Sequence, residues 1–186
     1  IVVHTVPPLE RDGVRFTPRQ HNHVRFENAG QGVLIPQFAR GERNAYGDLP
    51  VTLFRPGSSI PLLTLSLNEK IKVLAGTYDV YFPTFPPVRL TDVLVKEGAE
   101  APVIIPQPGY LHLDVAAAGY GTILTGDGEV VYKWDQGTTN PSGRFLLQPG
   151  EYTVVYRSRS ARSMAFSVSK QINIRSGSTT HLSLNG

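Results

Sequence analysis

The sequence predicts an all-β chain made of tandem β-sandwich domains. Three observations predict it. Apolar residues alternate with polar ones in many short runs, the period of a strand with one buried face. The 18 Gly and 15 Pro fall between these runs, where turns are expected, and show no collagen period. The whole pattern also recurs along the chain. "KVLAGTYDVYF" (72–82) returns as "FLLQPGEYTVVY" (145–156), and "VLVKEGAEAPVII" (93–105) lies over "INIRSGSTTHLSL" (172–184) after a shift of 79 residues.

Taken in order, residues 1–30 read as the final strands of an incomplete preceding repeat. A backward shift of 79 sets "HTVPP" (4–8) on "PTFPP" (83–87) and puts Val14, Phe16, Val24 and Phe26 in the apolar slots of the later segments. The strands that should precede them in a repeat are absent from the sequence. Two full units are expected at 31–107 and 108–186, with Gly32 and Gly109 in matching places. "LTLSLNEKIKVL" (63–74) reads as a strand, a turn at Asn68–Glu69 and a second strand. "GYLHLDVAA" sets Tyr110, His112 and Asp114 on one side and Leu111, Leu113 and Val115 on the other. "EVVYKWDQG" leads into the turn "TTNPSGR". Each unit should close on a β-hairpin whose turn carries Gly98 or Gly177, where positive φ costs little. Tyr78 and Tyr152 follow a small residue and Gly just inside a strand. That placement suits a tyrosine corner, ring on the core and hydroxyl on nearby backbone, as in Ig-like sandwiches; ordinary half-buried strand tyrosines are the alternative. No Pro- and Gly-free window sustains helical spacing.

Composition narrows the function classes. Hydrophobic residues are 40% of the 186, enough for packed cores. A net charge of +3 is too small to point to nucleic acid. Cys is absent, which excludes disulfides, zinc–thiolate sites and cysteine nucleophiles. No apolar run approaches the length of a membrane-spanning helix. The only Met is Met164, so the chain reads as a processed piece of something longer.

The phrases "GYLHLDV", "AGTYDVYF" and "VLVKEGAEAPVII" resemble a family: the tandem carboxypeptidase-regulatory-like and PEGA-like modules of bacterial cell-surface proteins, found downstream of von Willebrand factor A domains. In such modules a Gly-x-Leu-x-Val strand opens the unit, here Gly109-Tyr110-Leu111. A Pro-Ala-Gly-x-Tyr-x-Val strand sits mid-unit, here Gly76-Thr77-Tyr78, and a hairpin closes it, here Val93 to Ile105. The resemblance implies tandem Ig-like or transthyretin-like β-sandwich domains, located outside the cell or in its envelope, that serve as spacer, adhesion or assembly modules. The last unit departs from the pattern. It has "RSRSARS" (157–163) where the middle unit has "PTFPPV".

Several residues are candidates for chemistry. His21 and His23 in "RQHNHVRF" would face one way on a strand and offer two imidazoles to a metal; an exposed pair beside a loop is the alternative. Asp127 and Glu129 in "TGDGEVV" resemble half a calcium loop but lack its spacing, so a hairpin tip is the competing reading. No nucleophile elbow, zincin motif or phosphate loop occurs. The chain is therefore expected not to be an enzyme and to need no cofactor. From Tyr152 onward there are Arg157, Arg159, Arg162, Lys170 and Arg175 and no Asp or Glu. The strip fits either an anionic partner, such as an acidic polysaccharide, or a solvated edge that discourages strand pairing. The two Pro-rich segments lack amide donors and should run along a sheet edge or cross between sheets. Expected partners are other domains of the same long chain or other copies, through strand pairing of residues 1–30.

Overall fold

The structure is a computed structural model and describes residues 1–39, 49–115, 118–134, 143–159 and 167–184. These contain strands and turns but no helix. They form two compact units. One gathers 1–37, 49–82 and 89–104, the other 38–39, 83–88 and 105–184.

In the first unit the chain runs through β1 (Val2–Val3), β2 (Leu9–Glu10), β3 (Gln31–Phe38), β4 (Pro50–Phe54), β5 (Pro61–Ser66), β6 (Ile71–Leu74), β7 (Gly76–Phe82), β8 (Val88–Val95) and β9 (Glu100–Ile105). Strands β6-β3-β9 make one sheet and β5-β4-β7-β8 the other, while β1 and β2 pair separately. Alternate residues of each strand turn inward, as a two-sheet core requires. Leu34, Val51, Leu53, Leu65, Val73, Val80 and Phe82 are buried.

The second unit comprises β10 (Gly109–Val115), β11 (Gly119–Thr125), β12 (Val130–Trp134), β13 (Gly143–Leu147), β14 (Gly150–Ser158), β15 (Ser167–Ile174) and β16 (Thr179–Leu184). Its sheets are β13-β10-β16 and β12-β11-β14-β15. This is the strand order of the first unit, element for element. The likeness extends to register. β4 and β5 slip between Leu53 and Phe54, and β11 and β12 slip between Ile123 and Leu124. The core is built on Leu111, Leu113, Ile123, Trp134, Leu147, Tyr152, Val154, Tyr156, Ile174 and Leu184.

One expectation is corrected. The segments around Gly98 and Gly177 do not close hairpins. β8 lies in a four-stranded sheet and β9 in the three-stranded sheet opposite it, and β15 and β16 are divided in the same way. Both glycines do adopt positive φ, 70° and 68°, but the turn carries the chain across the core as an arch. Alternation cannot separate the two cases, because an arch and a hairpin bury the same alternate residues. The hairpins among the described strands include β4–β5 and β11–β12.

Residues 14–16 and 24–26, expected as strands, form none. Phe16 is 60% exposed, whereas Val14, Val24 and Phe26 are half-buried. The loop is held by Asn22, whose side chain accepts from the Thr17 amide at 2.9 Å and donates to the Thr17 carbonyl at 3.0 Å. The "TTNPSGR" turn lies outside the described residues except for Gly143 and Arg144.

Candidate functional site

The two corner tyrosines organise equivalent places in the two units. Tyr78 is buried at the start of β7, and its hydroxyl donates to the Leu74 carbonyl at 2.7 Å. Tyr152 is buried at the start of β14, and its hydroxyl donates to the Gln148 carbonyl at 2.8 Å. Each bond reaches four residues back, across the turn that precedes the strand. Burial raises the pKa of both phenols. For Tyr78 it outweighs the nearby Arg55, which acts in the opposite direction; Tyr152 is pushed up to about 12.

Beside each tyrosine sits a Thr-x-Pro-Pro segment. In the second unit this is Thr84–Pro87. The Phe85 amide donates to the Leu146 carbonyl at 2.9 Å, and the Phe85 carbonyl accepts from the Gln148 amide at 2.7 Å. Phe85 thereby bridges Leu147 in parallel along the free edge of β13. The Thr84 side chain is buried. Its hydroxyl donates to the Pro86 carbonyl at 2.8 Å and accepts from Gln148 Nε2 at 3.0 Å. The Phe85 ring meets Tyr132 and Phe145 edge-on, at centroid distances of 5.8 and 6.5 Å. In the first unit the segment is Thr5–Pro8. Thr5 Oγ1 donates to the Pro7 carbonyl at 2.7 Å, and the Val6 carbonyl accepts from the Leu74 amide at 2.7 Å. The Val6–Pro7 and Phe85–Pro86 peptides are both cis.

The first unit adds a buried carboxylate. Asp79 is 2% exposed. Its Oδ2 accepts from the Gly57 amide at 3.1 Å and from Arg89 Nη2 at 3.0 Å, and its Oδ1 accepts from the Asp92 amide at 3.2 Å. Burial alone would raise its pKa; the two amides and the guanidinium overcome that and hold it below the usual carboxylate range. Arg89 also lies over the Phe54 ring, 4.7 Å from its centroid. The group ties the β4–β5 turn to β8, and Thr153 holds the corresponding place in the second unit.

The basic residues are not gathered on one face. Arg157 pairs with Ser167 at one end of β14 and β15, on the outer side of the sheet. Arg159 is exposed just beyond, its amide donating to the Ala118 carbonyl at 2.9 Å. Lys170 pairs with the buried Val154 and so belongs to the other side of the sheet, exposed at its edge. Arg175 is exposed past the opposite end of β15. Arg162 lies outside the described residues. The outer face of β14 and β15 bears a shallow hollow of about 260 Å³, with Glu151, Thr153, Gln171 and Asn173 among its lining.

His21 and His23 are exposed in a loop, so the strand alternation that would aim both imidazoles one way is missing. Asp127 and Glu129 are exposed at the β11–β12 turn, which is closed by the Gly128 amide on the Thr125 carbonyl at 2.9 Å. Sequence reading missed a second histidine pair. β10 and β16 run parallel with His112 opposite His181, and their exposed rings are 5.2 Å apart. Alternation placed His112 on the outer side, but only the register of β16 brings His181 to it. Among the described residues no group of three or more metal-ligating side chains occurs, and there is no helix long and apolar enough to cross a membrane.

No family model matches the chain, and no curated protein matches it. Solved structures do. The TIE protein of Bacillus anthracis is 16% identical with a TM-score of 0.35, over 85% of this chain. The chain spans about a third of that protein, 34% of its length. GBS52, the minor pilin of Streptococcus agalactiae, is 10% identical with a TM-score of 0.36, over 83% of this chain and 94% of that one.

Proposed function

We propose that the chain is a non-catalytic structural or adhesive module, acting outside the cell or in the cell envelope as a spacer, stalk or filament subunit. One observation supports this reading above the others. The same seven-strand unit occurs twice, with the same strand order and its own Thr-x-Pro-Pro segment in each. The buried hydroxyls of Tyr78, Thr84 and Tyr152 are engaged in bonds that hold these units together. Duplicating a unit extends a chain or multiplies its surface.

Residues 1–30 are the proposed point of contact with neighbouring domains of a longer chain or with other copies. Their apolar side chains at Ile1, Val2, Val3 and Phe16 are exposed, and strand addition would cover them. A second reading, favoured by Arg159 exposed next to Arg157 at one end of the β14–β15 sheet, is binding of an anionic polysaccharide. A third is an accessory domain of a secreted hydrolase.

Surface labelling of intact source cells with a membrane-impermeant amine reagent, followed by recovery of this chain, tests the first reading. Labelling without lysis is expected; labelling only after lysis would overturn it. Light scattering of the chain with and without residues 1–30 tests the contact point. Association that disappears with the deletion supports it. A chain that keeps residues 1–30 and is monomeric at high concentration refutes contact between copies through them.

A further inference from the structure

The two Thr-x-Pro-Pro segments share two bonds, the Thr hydroxyl to the first Pro carbonyl and the x carbonyl accepting from the amide of Leu74 or Gln148, but they meet different side chains, and the difference matches the segments. Register fixes which residues correspond. Gly32 lies opposite Val73 and Gly109 opposite Leu147. Counting along these pairs, Phe145 corresponds to Ile71 and Gln148 to Leu74. Thr52 sits between Thr64 and Tyr81, as Thr122 sits between Lys133 and Val155. Tyr132 therefore corresponds to Leu63. In the second unit an aromatic donor residue, Phe85, meets the aromatic Tyr132 and Phe145. In the first unit the donor residue is Val6, and the corresponding positions are Leu63 and Ile71. Gln148, which also bonds the Thr84 hydroxyl, is replaced by Leu74, which has no side-chain donor.

We propose that each unit carries a peptide-acceptor site for Thr-x-Pro-Pro, and that the residues at 63 and 71, or at 132 and 145, select which x is accepted. The backbone bonds to the x residue do not depend on its side chain and supply general affinity. The flanking rings or aliphatics supply the choice. The ligand class for the second unit is a Thr-aromatic-Pro-Pro peptide. Its partner in trans is a second copy of this chain offering residues 83–88 wherever its own site is not using them. In the intact chain the local segment holds the site by its high effective concentration. This inference does not depend on where the chain is displayed.

The test uses the full chain with Thr84→Gly, Phe85→Pro, Pro86→Gly and Pro87→Ser together, which removes the residue-85 amide that bonds Leu146 as well as the side chains that seat the local segment, so that a free peptide can displace it. The probes are end-capped hexapeptides PTFPPV and HTVPPL. The readouts are the fluorescence of Trp134, whose ring stacks on Tyr132 at 6.3 Å, and the Gln148 amide resonance. Saturable binding of PTFPPV is expected, about tenfold tighter than HTVPPL, the factor that one to two buried methylenes confer. The unsubstituted chain should bind neither at the same concentrations. Adding Tyr132→Leu and Phe145→Ile should reverse the preference. A folded donor-less chain that binds neither peptide, or binds both equally, overturns the proposal. If that chain does not fold, Phe85→Val in the otherwise intact chain replaces it. Hydrogen-exchange protection of the Gln148 amide should then fall at least fivefold and recover in the Tyr132→Leu/Phe145→Ile background. No recovery overturns the proposal.

Discussion

Gly121 and Trp134 should behave as one packing unit. They face each other across β11 and β12, and a Cβ built on Gly121 would lie 2.0 Å from Cζ2, 2.4 Å from Cε2 and 2.5 Å from Cη2 of the indole. Carbon atoms prefer roughly 3.5–4.0 Å, so Gly121→Ala must displace the ring by more than an ångström. The ring has little room to move, since it stacks on Tyr132 in the buried cluster. The expected loss is about 2–3 kcal/mol, the upper part of the range for overpacking. Trp134→Leu removes much buried ring, but it also removes an indole N–H without a partner among the described residues, whose burial is itself unfavourable. Its net cost should be about 2 kcal/mol. The corresponding pair in the first unit is Val51 and Leu65, which lie opposite each other and are both buried. Gly121→Val with Trp134→Leu should therefore be less destabilising than the sum of the single changes, by about 1–3 kcal/mol. Urea denaturation followed by far-UV circular dichroism, with native-state hydrogen exchange at the Ile123 and Val154 amides, measures the unsubstituted chain, Gly121→Ala, Gly121→Val, Trp134→Leu and the double variant. Additivity within about 0.5 kcal/mol would refute the claim that the close approach governs this glycine.

Other outcomes follow from the buried polar groups. Asp79→Ala leaves the Gly57 and Asp92 amides without their acceptor, while Arg89, 38% exposed, keeps the Ser58 carbonyl, so the first unit should lose about 2–3 kcal/mol; Asp79→Asn should lose less, and a midpoint unchanged in both would dismiss the cluster as structural. Because the Asp79 pKa is lowered on folding, its contribution is present above the usual carboxylate range and should disappear as pH falls through its folded value; an acid unfolding midpoint that Asp79→Asn leaves in place would contradict this. Tyr152 has the opposite sense. Its pKa is raised to about 12, so its contribution is complete below pH 10 and is lost between about 10 and 12, and Tyr152→Phe should flatten that alkaline limb while costing about 0.5–1.5 kcal/mol at neutral pH. If an acidic polysaccharide is the ligand, Arg157, Arg159 and Arg162 changed together to Ser should abolish retention on an acidic matrix at low salt; unchanged retention removes that reading.

The fold class was legible because its signals are local. Alternation and turn residues such as Asn68 and Gly128, both at positive φ, act within a few positions of themselves. Which sheet a strand joins is not local. Val95 and Val103 are both buried whether their strands are neighbours or face each other across a core, so the arch passed for a hairpin. The Asp79 cluster was illegible for a related reason. Its partners at 57, 89 and 92 come from a turn and from another strand, and Asp79 stands in the sequence like any polar strand residue. Thr84 reaches Gln148, 64 positions away, and the Pro-rich spelling of its segment announced only a sheet edge. Of the candidate site residues, Tyr78 and Tyr152 could be read from a turn followed by a strand. The pairing of His112 with His181 required the parallel register of β10 and β16.

The membership of residues 83–88 has a practical side. They run from the end of β7 to the first residue of β8, strands of the first unit, yet they belong to the second. No single peptide bond therefore divides the polypeptide into two whole units. A fragment that starts at Gly109 leaves Tyr132 and Phe145 without Phe85. One that starts at Pro83 takes β8 and β9 away from the sheets they complete. Recombination that adds or drops a unit meets the same constraint: a cut through the loop after β7 parts a docked peptide from its seat unless a replacement arrives with the incoming segment.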